Sequence, residues 1–149
     1  MYSNGSTDKG VEMKTLLLGM ARGDGAYGPP LMPEGGNSAA DNLLKIAGMS
    51  KTQYLETFRR RNLLPYGKWS RTRGLLRGYL FRKRARGRII VLGKQTWEAM
   101  RLPKVEFFDK IYLGEAEFVL VPHPSGRNRT LNDEAAREMF RRILRGEDR

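Results

Sequence analysis

Arg88-Ile89-Ile90-Val91-Leu92-Gly93 is apolar, β-branched and closed by a glycine, the composition of a strand buried on both faces. The same grammar recurs in Thr15-Leu16-Leu17-Leu18-Gly19 and in Glu117-Phe118-Val119-Leu120-Val121, which runs into Pro122. Helical patterns lie between these strands. Ser38-Ala39-Ala40-Asp41 has the capping-box form, with Ala40, Leu43, Leu44 and Ala47 on one face and Gly48 to close the helix. Ser50 to Gln53 repeats the box for a short helix, which leads into a strand around Phe58 to Asn62 interrupted by three arginines. Ser70 caps a helix predicted to carry Leu75, Leu76, Tyr79 and Leu80 inward, and Trp97 and Met100 mark a further one. Ala136, Met139, Phe140, Ile143 and Leu144 form an amphipathic stripe. Strands alternating with helices predict an α/β fold, a three-layer α/β/α sandwich around a four-stranded, mostly parallel sheet. The folded domain is expected over 14–149, after a flexible segment at 1–13.

The 149 residues suit one domain with its own core, and no apolar run is long enough to span a membrane. The polar start, Met1 to Gly10, lacks the apolar stretch of a signal peptide. With no cysteine the chain holds no disulfide, zinc–thiolate site or cysteine-ligated cluster, and no metal or other cofactor is expected. A cytoplasmic monomer, in a bacterial or phage-infected cell, fits these features.

Charge narrows the class of partner. Lys and Arg number 28 against 16 acidic residues, a net charge of +12. From Arg59 to Arg88 there are 12 basic residues and no acidic one, whereas a generic solvated face mixes both signs. Such a stretch favours a polyanion through counterion release, and DNA, single- or double-stranded, is the expected partner. An anionic membrane or an acidic protein is the competing reading of the charge. Arg73 and Arg77 lie in the stretch as backbone contacts; Trp69 and Tyr66 serve either base stacking or packing.

Ligands of a parallel sheet bind at the carboxyl ends of its strands, and the unusual residues fall there. These are the Gly19 to Gly36 loop, Asn62, Gly93-Lys94, and His123-Pro124-Ser125-Gly126-Arg127-Asn128-Arg129. The last run holds the single histidine, stiffened by two prolines, beside a glycine that permits close approach and two arginines suited to phosphate.

The order of these pieces resembles the uracil-DNA glycosylase superfamily over roughly Thr15 to Leu144. The His123-Pro124-Ser125 loop, Asn62-Leu63-Leu64 after the second strand, and Ile89 to Met100 carry the resemblance. It implies a pocket for a flipped base, with hydrolysis of the N-glycosidic bond of uracil or a 5-substituted pyrimidine. Asn62 would read the base edge, and His123 would bond its O2 as negative charge grows there. Gly19, Met20 and Tyr27 would complete the base pocket. Lys94, Ser125, Gly126, Arg127, Asn128 and Arg129 would hold the DNA, either of the two arginines acting as wedge or as phosphate contact. The first motif departs from the family. Gly19 is followed by Met20 and Ala21, which do no acid–base work, so Asp24 is either the catalytic carboxylate or a turn residue. Leu31 and Met32 stand near the position where the family places an aromatic platform. A relative that binds DNA or a modified base without hydrolysis is the alternative, and an RNA-binding protein is a third reading. Short loops and small size are similar to phage or mobile-element proteins.

Overall fold

In the computed structural model, residues 13–21, 29–65, 67–125 and 129–149 are described. The strands β1 (Thr15–Gly19), β2 (Phe58–Asn62), β3 (Gly87–Leu92), β4 (Lys110–Leu113) and β5 (Ala116–Val121) form one sheet in the order β2-β1-β3-β5-β4. All neighbours pair in parallel except β4, which is antiparallel to β5. The sheet therefore has five strands, not the four expected. Lys110-Ile111-Tyr112-Leu113 is short and only half-buried, so it lacks the apolar run that marks the others. It joins β5 through the two residues Gly114 and Glu115, with Gly114 at φ 58°, the left-handed backbone of a tight hairpin.

Helices α1 (Ala39–Ala47), α2 (Lys51–Thr57) and α5 (Glu134–Leu144) belong to one layer, and α3 (Arg71–Arg84) and α4 (Lys94–Ala99) to the other. Alternation along β1 makes the division visible. Leu17 packs with Leu43, Tyr54 and Phe140, while Leu16 and Leu18 pack with Phe81 and Trp97. Both faces are covered, which is why these strands are apolar at every position. Among the described residues no helix is long and apolar enough to cross a membrane.

Both expected capping boxes are present, Ser38 with Asp41 and Ser50 with Gln53, and Gly48 closes α1 in the left-handed conformation. In α5, Phe140, Ile143 and Leu144 are buried, each stabilising the fold by about 1.5–3 kcal/mol. Met139 of the same stripe is 40% exposed.

Helix α3 turns a different face inward from the one its leucines suggest. Leu76 and Tyr79 are 60% and 58% exposed, and the buried residues are Gly74, Gly78 and Phe81. At about 100° per residue, the glycine face lies half a turn from the leucine face. The reason is how closely α3 approaches its neighbours. A Cβ at Gly78 would lie 2.7 Å from the Ala99 carbonyl carbon, and one at Gly74 would lie 2.6 Å from Trp69 Cζ2. Only glycine admits the α4 backbone and the Trp69 ring at those two points. Trp69 is thereby spent on packing.

A second correction concerns Arg88, counted above within the basic stretch. It is buried at the amino end of β3, 2.8 Å from both Glu117 and Asp148, and donates to the Ile143 carbonyl at 3.1 Å. Lys110 completes the network at 2.7 Å from Asp148. Burial pushes the Asp148 carboxyl up, but hydrogen bonds from Lys110 and Arg88 outweigh it and hold the group below its ordinary range.

Candidate functional site

Strand β1 has β2 on one side and β3 on the other; the connection leaving β1 runs to α1 on one face of the sheet, and that leaving β3 runs to α4 on the other. A crevice opens where they part, at the carboxyl ends. Gly19 and Asn62 are register partners there, and pairing continues past them through Leu63 N–H to Gly19 C=O at 2.9 Å and Leu64 N–H to Met20 C=O at 3.0 Å. Asn62 is only 7% exposed. A Cβ at Gly19 would lie 2.6 Å from Asn62 Oδ1, so the amide occupies space that any other residue at position 19 would fill.

His123 follows β5. The Gly93 N–H donates to the Val121 carbonyl at 2.8 Å, and the open side of Gly93 faces His123, whose Cβ would be 3.4 Å from an added Cβ. Gly93 has φ 98°, a conformation that favours glycine. Beyond the histidine, the Pro124 carbonyl accepts a hydrogen bond from Asn42 Nδ2 of α1 at 2.8 Å, which fixes the exit of this loop. Burial pushes the His123 imidazole below its ordinary value, so it is neutral at pH 7, with one N–H to donate and one nitrogen to accept.

The third wall comes from the loop before α1. The buried Tyr54 hydroxyl donates to the Leu31 carbonyl at 2.8 Å. Burial raises the phenol well above its usual range and keeps it a donor. Asp41 gathers the next stretch by accepting from the backbone N–H groups of Glu34, Gly35, Gly36 and Ser38, and from the Ser38 hydroxyl at 2.6 Å. That hydroxyl and the amides hold its carboxyl far below the usual carboxylate range, against the opposing effect of burial.

Together these walls enclose a cleft of about 520 Å³. Gly19, Met20, Asn62 and His123 of the sequence-predicted site line it, along with Leu31, Met32 and Glu34. Glu34, exposed at the rim, is the carboxylate that sequence reading missed; its backbone N–H donates to Asp41 at 3.0 Å. Leu31 and Met32 supply an apolar wall without an aromatic ring. Lys94 is exposed at the start of α4, its Nζ 4.9 Å from the Phe107 ring centre, and does not line the cleft. Ser125 lines a separate hollow of about 130 Å³ with Asn42 and Arg137. Arg73 packs beside Gly67, and Arg77 lies in a groove on the α3 side of the sheet. Asp24, Tyr27, Tyr66, Gly126, Arg127, Asn128 and the Arg129 side chain fall outside the described residues. Among the described residues no cluster of three His, Asp or Glu could hold a metal ion.

No protein-family model and no curated protein matches the chain. An amide with donor and acceptor, a neutral imidazole and an apolar wall suit a planar heterocycle with polar edges. A carboxylate at the rim can orient or deprotonate water.

Proposed function

We propose that the chain binds DNA, takes one pyrimidine out of the base stack into this cleft, and hydrolyses its N-glycosidic bond. The observation that carries the reading is the convergence of Asn62 and His123 on one cleft at the strand ends, with Gly19 leaving room for the Asn62 amide. Asn62 pairs with the base edge. The C1′–N bond breaks with its electron pair going to the base, and His123 donates its N–H to O2, where negative charge develops. A donor so placed contributes about 3 kcal/mol. Water oxygen bonds to C1′, and Glu34 accepts one water proton, which passes in the end to the base nitrogen. The products are a free base and an abasic sugar. Glu34 thus takes the role that Met20 and Ala21 cannot fill. The reading suits a soluble, cytoplasmic protein acting on uracil or a 5-substituted pyrimidine.

The test incubates the protein with single- and double-stranded oligonucleotides carrying uracil, 5-hydroxymethyluracil, thymine or hypoxanthine, followed by alkaline cleavage at abasic sites. Cleavage is expected, with a roughly hundredfold loss in His123→Ala and Asn62→Ala and a loss in Glu34→Gln. Salt-sensitive binding with no abasic product from any base would refute hydrolysis. That outcome favours the second reading, a binder of DNA or a modified base, which the inert Met20 and Ala21 at the cleft support.

A further inference from the structure

A groove of about 560 Å³ runs between β2 and α3, on the face of the sheet away from α1 and α5. Arg59, Arg61, Arg77, Arg84 and Arg86 line it, and no described carboxylate does. Its floor is apolar, with Leu16, Phe81 and Ile89. Along β2, Arg59 and Arg61 are about 6.6 Å apart on one face; along α3, Arg77 and Arg84 are about 10.5 Å apart. The guanidinium of Arg61 lies 5.3 Å from the Phe81 ring centre. Burial, then the like charge of Arg77, lowers its affinity for its proton. Facing rows of like charge repel one another, and a linear anion laid between them removes the repulsion.

Leu80, 38% exposed, forms part of the wall; Tyr79, 58% exposed, lines an adjoining hollow of about 520 Å³ that shares Arg84 and Arg86 with the groove, and Leu76 is exposed on the same helix. These three side chains belong to neither core cluster, and the Tyr79 ring has Lys83 Nζ 5.4 Å from its centre. A duplex would offer its phosphates to the arginines and leave these three side chains in water. A single strand offers phosphates and unstacked bases together, and bases stack on aromatic side chains at about 1–3 kcal/mol each.

We propose that the β2–α3 groove binds a single strand of nucleic acid, its phosphates on Arg59, Arg61, Arg77 and Arg84, and its bases against Leu80 and, in the adjoining hollow, Tyr79. The proposal shares with the preceding section the premise of a nucleic-acid partner, but not the chemistry of the cleft. The two fail separately.

Fluorescence anisotropy on the full chain tests it, with labelled 20-mers of deoxythymidine and of uridine and a 20-base-pair duplex. Single strands are expected to bind more tightly than the duplex, and the deoxythymidine and uridine arms tell DNA from RNA. Arg77→Ala with Arg84→Ala should weaken strand binding at least tenfold and reduce the salt slope by about 1.4, from about 0.7 per phosphate contact. Tyr79→Ala should weaken it about five- to hundredfold with the slope unchanged. Arg142→Ala, exposed on α5 in the opposite layer and lining neither groove nor cleft, should leave it intact. Equal strand binding by the arginine double variant, with an unchanged melting temperature to show that it folds, would overturn the proposal. So would a preference for duplex, an equal loss of binding in Arg142→Ala, or displacement by polyglutamate as effective as by unlabelled oligothymidine.

Discussion

Replacing Gly78 by alanine asks directly which face of α3 is the buried one. In an exposed helix interior, glycine to alanine stabilises by about 1 kcal/mol, because alanine loses less backbone freedom on folding. That gain is expected if Leu75, Leu76, Tyr79 and Leu80 faced the core, since Gly78 would then point to water. In the structure the new methyl would meet the Ala99 carbonyl, with its carbon at 2.7 Å and the Met100 nitrogen at 3.1 Å. Carbon contacts begin near 3.5 Å, so α3 must retreat by roughly 0.8 Å. These are backbone atoms and cannot swing aside. A gap of that size forfeits roughly a quarter to a half of the dispersion energy at the neighbouring contacts of Gly74 and Phe81. Overpacking at the upper end of its range, about 3 kcal/mol, less the propensity gain of about 1, leaves a net loss of about 2 kcal/mol. For a chain of this size the melting temperature should fall by roughly 4–8 °C, as read by circular dichroism or calorimetry. Leu76→Ala, on the exposed face, should stay within about 0.5 kcal/mol of wild type. A higher melting temperature for Gly78→Ala, or a loss of several kcal/mol in Leu76→Ala, would refute the packing described for α3.

The remaining predictions concern charge. As the single histidine, His123 gives isolated imidazole resonances, and its NMR titration midpoint should lie below 6.5 because burial disfavours the cation. The unfolded chain then binds this proton first, so stability falls as pH drops below 6.5 and is unaffected by this group above it; a midpoint above 6.5 contradicts the burial argument. Asp41 has a depressed folded value, so its stabilisation is complete above the unfolded carboxylate value near 4 and is lost below it. The melting-temperature difference between wild type and Asp41→Asn should therefore shrink as pH falls from about 5 toward 2, and a constant difference would count against the carboxylate. Arg88→Ala leaves Glu117 buried without its nearest partner and should cost about 3–5 kcal/mol in denaturant unfolding; a loss under about 1 kcal/mol would mean that the network behaves as a surface one.

Where one local signal decided an element, the sequence was readable. β1, β3 and β5 are buried on both sides, so their apolar runs had no other use, and the capping boxes at Ser38 and Ser50 are short-range hydrogen-bond patterns. The α3 face was misread because its packing depends on the absence of side chains at Gly74 and Gly78, and hydrophobic periodicity counts only side chains that are present. Arg88 was misread for a related reason. Its partners Glu117 and Asp148 are 29 and 60 residues away, so the acid-free stretch from Arg59 was acid-free only along the chain. At the cleft, Asn62 and His123 were legible from strand-end position. Glu34 was not, because its backbone N–H bonds to an aspartate whose capping role already accounted for it.

The arginines of β2 also bear on how copies of this chain treat one another. β2 ends the sheet, and the last strand of a sheet presents backbone groups that can pair with another molecule. Arg59, Arg60 and Arg61 put three successive positive charges on that margin, so two copies meeting there repel before their backbones can register. Salt weakens this guard, because at 1 M the screening length is only about 3 Å. Concentrated samples should therefore stay dispersed best in dilute buffer, the reverse of common practice for basic proteins. Neutralising β2 itself would invite sheet-to-sheet association, which makes the α3 arginines the cleaner positions at which to remove charge.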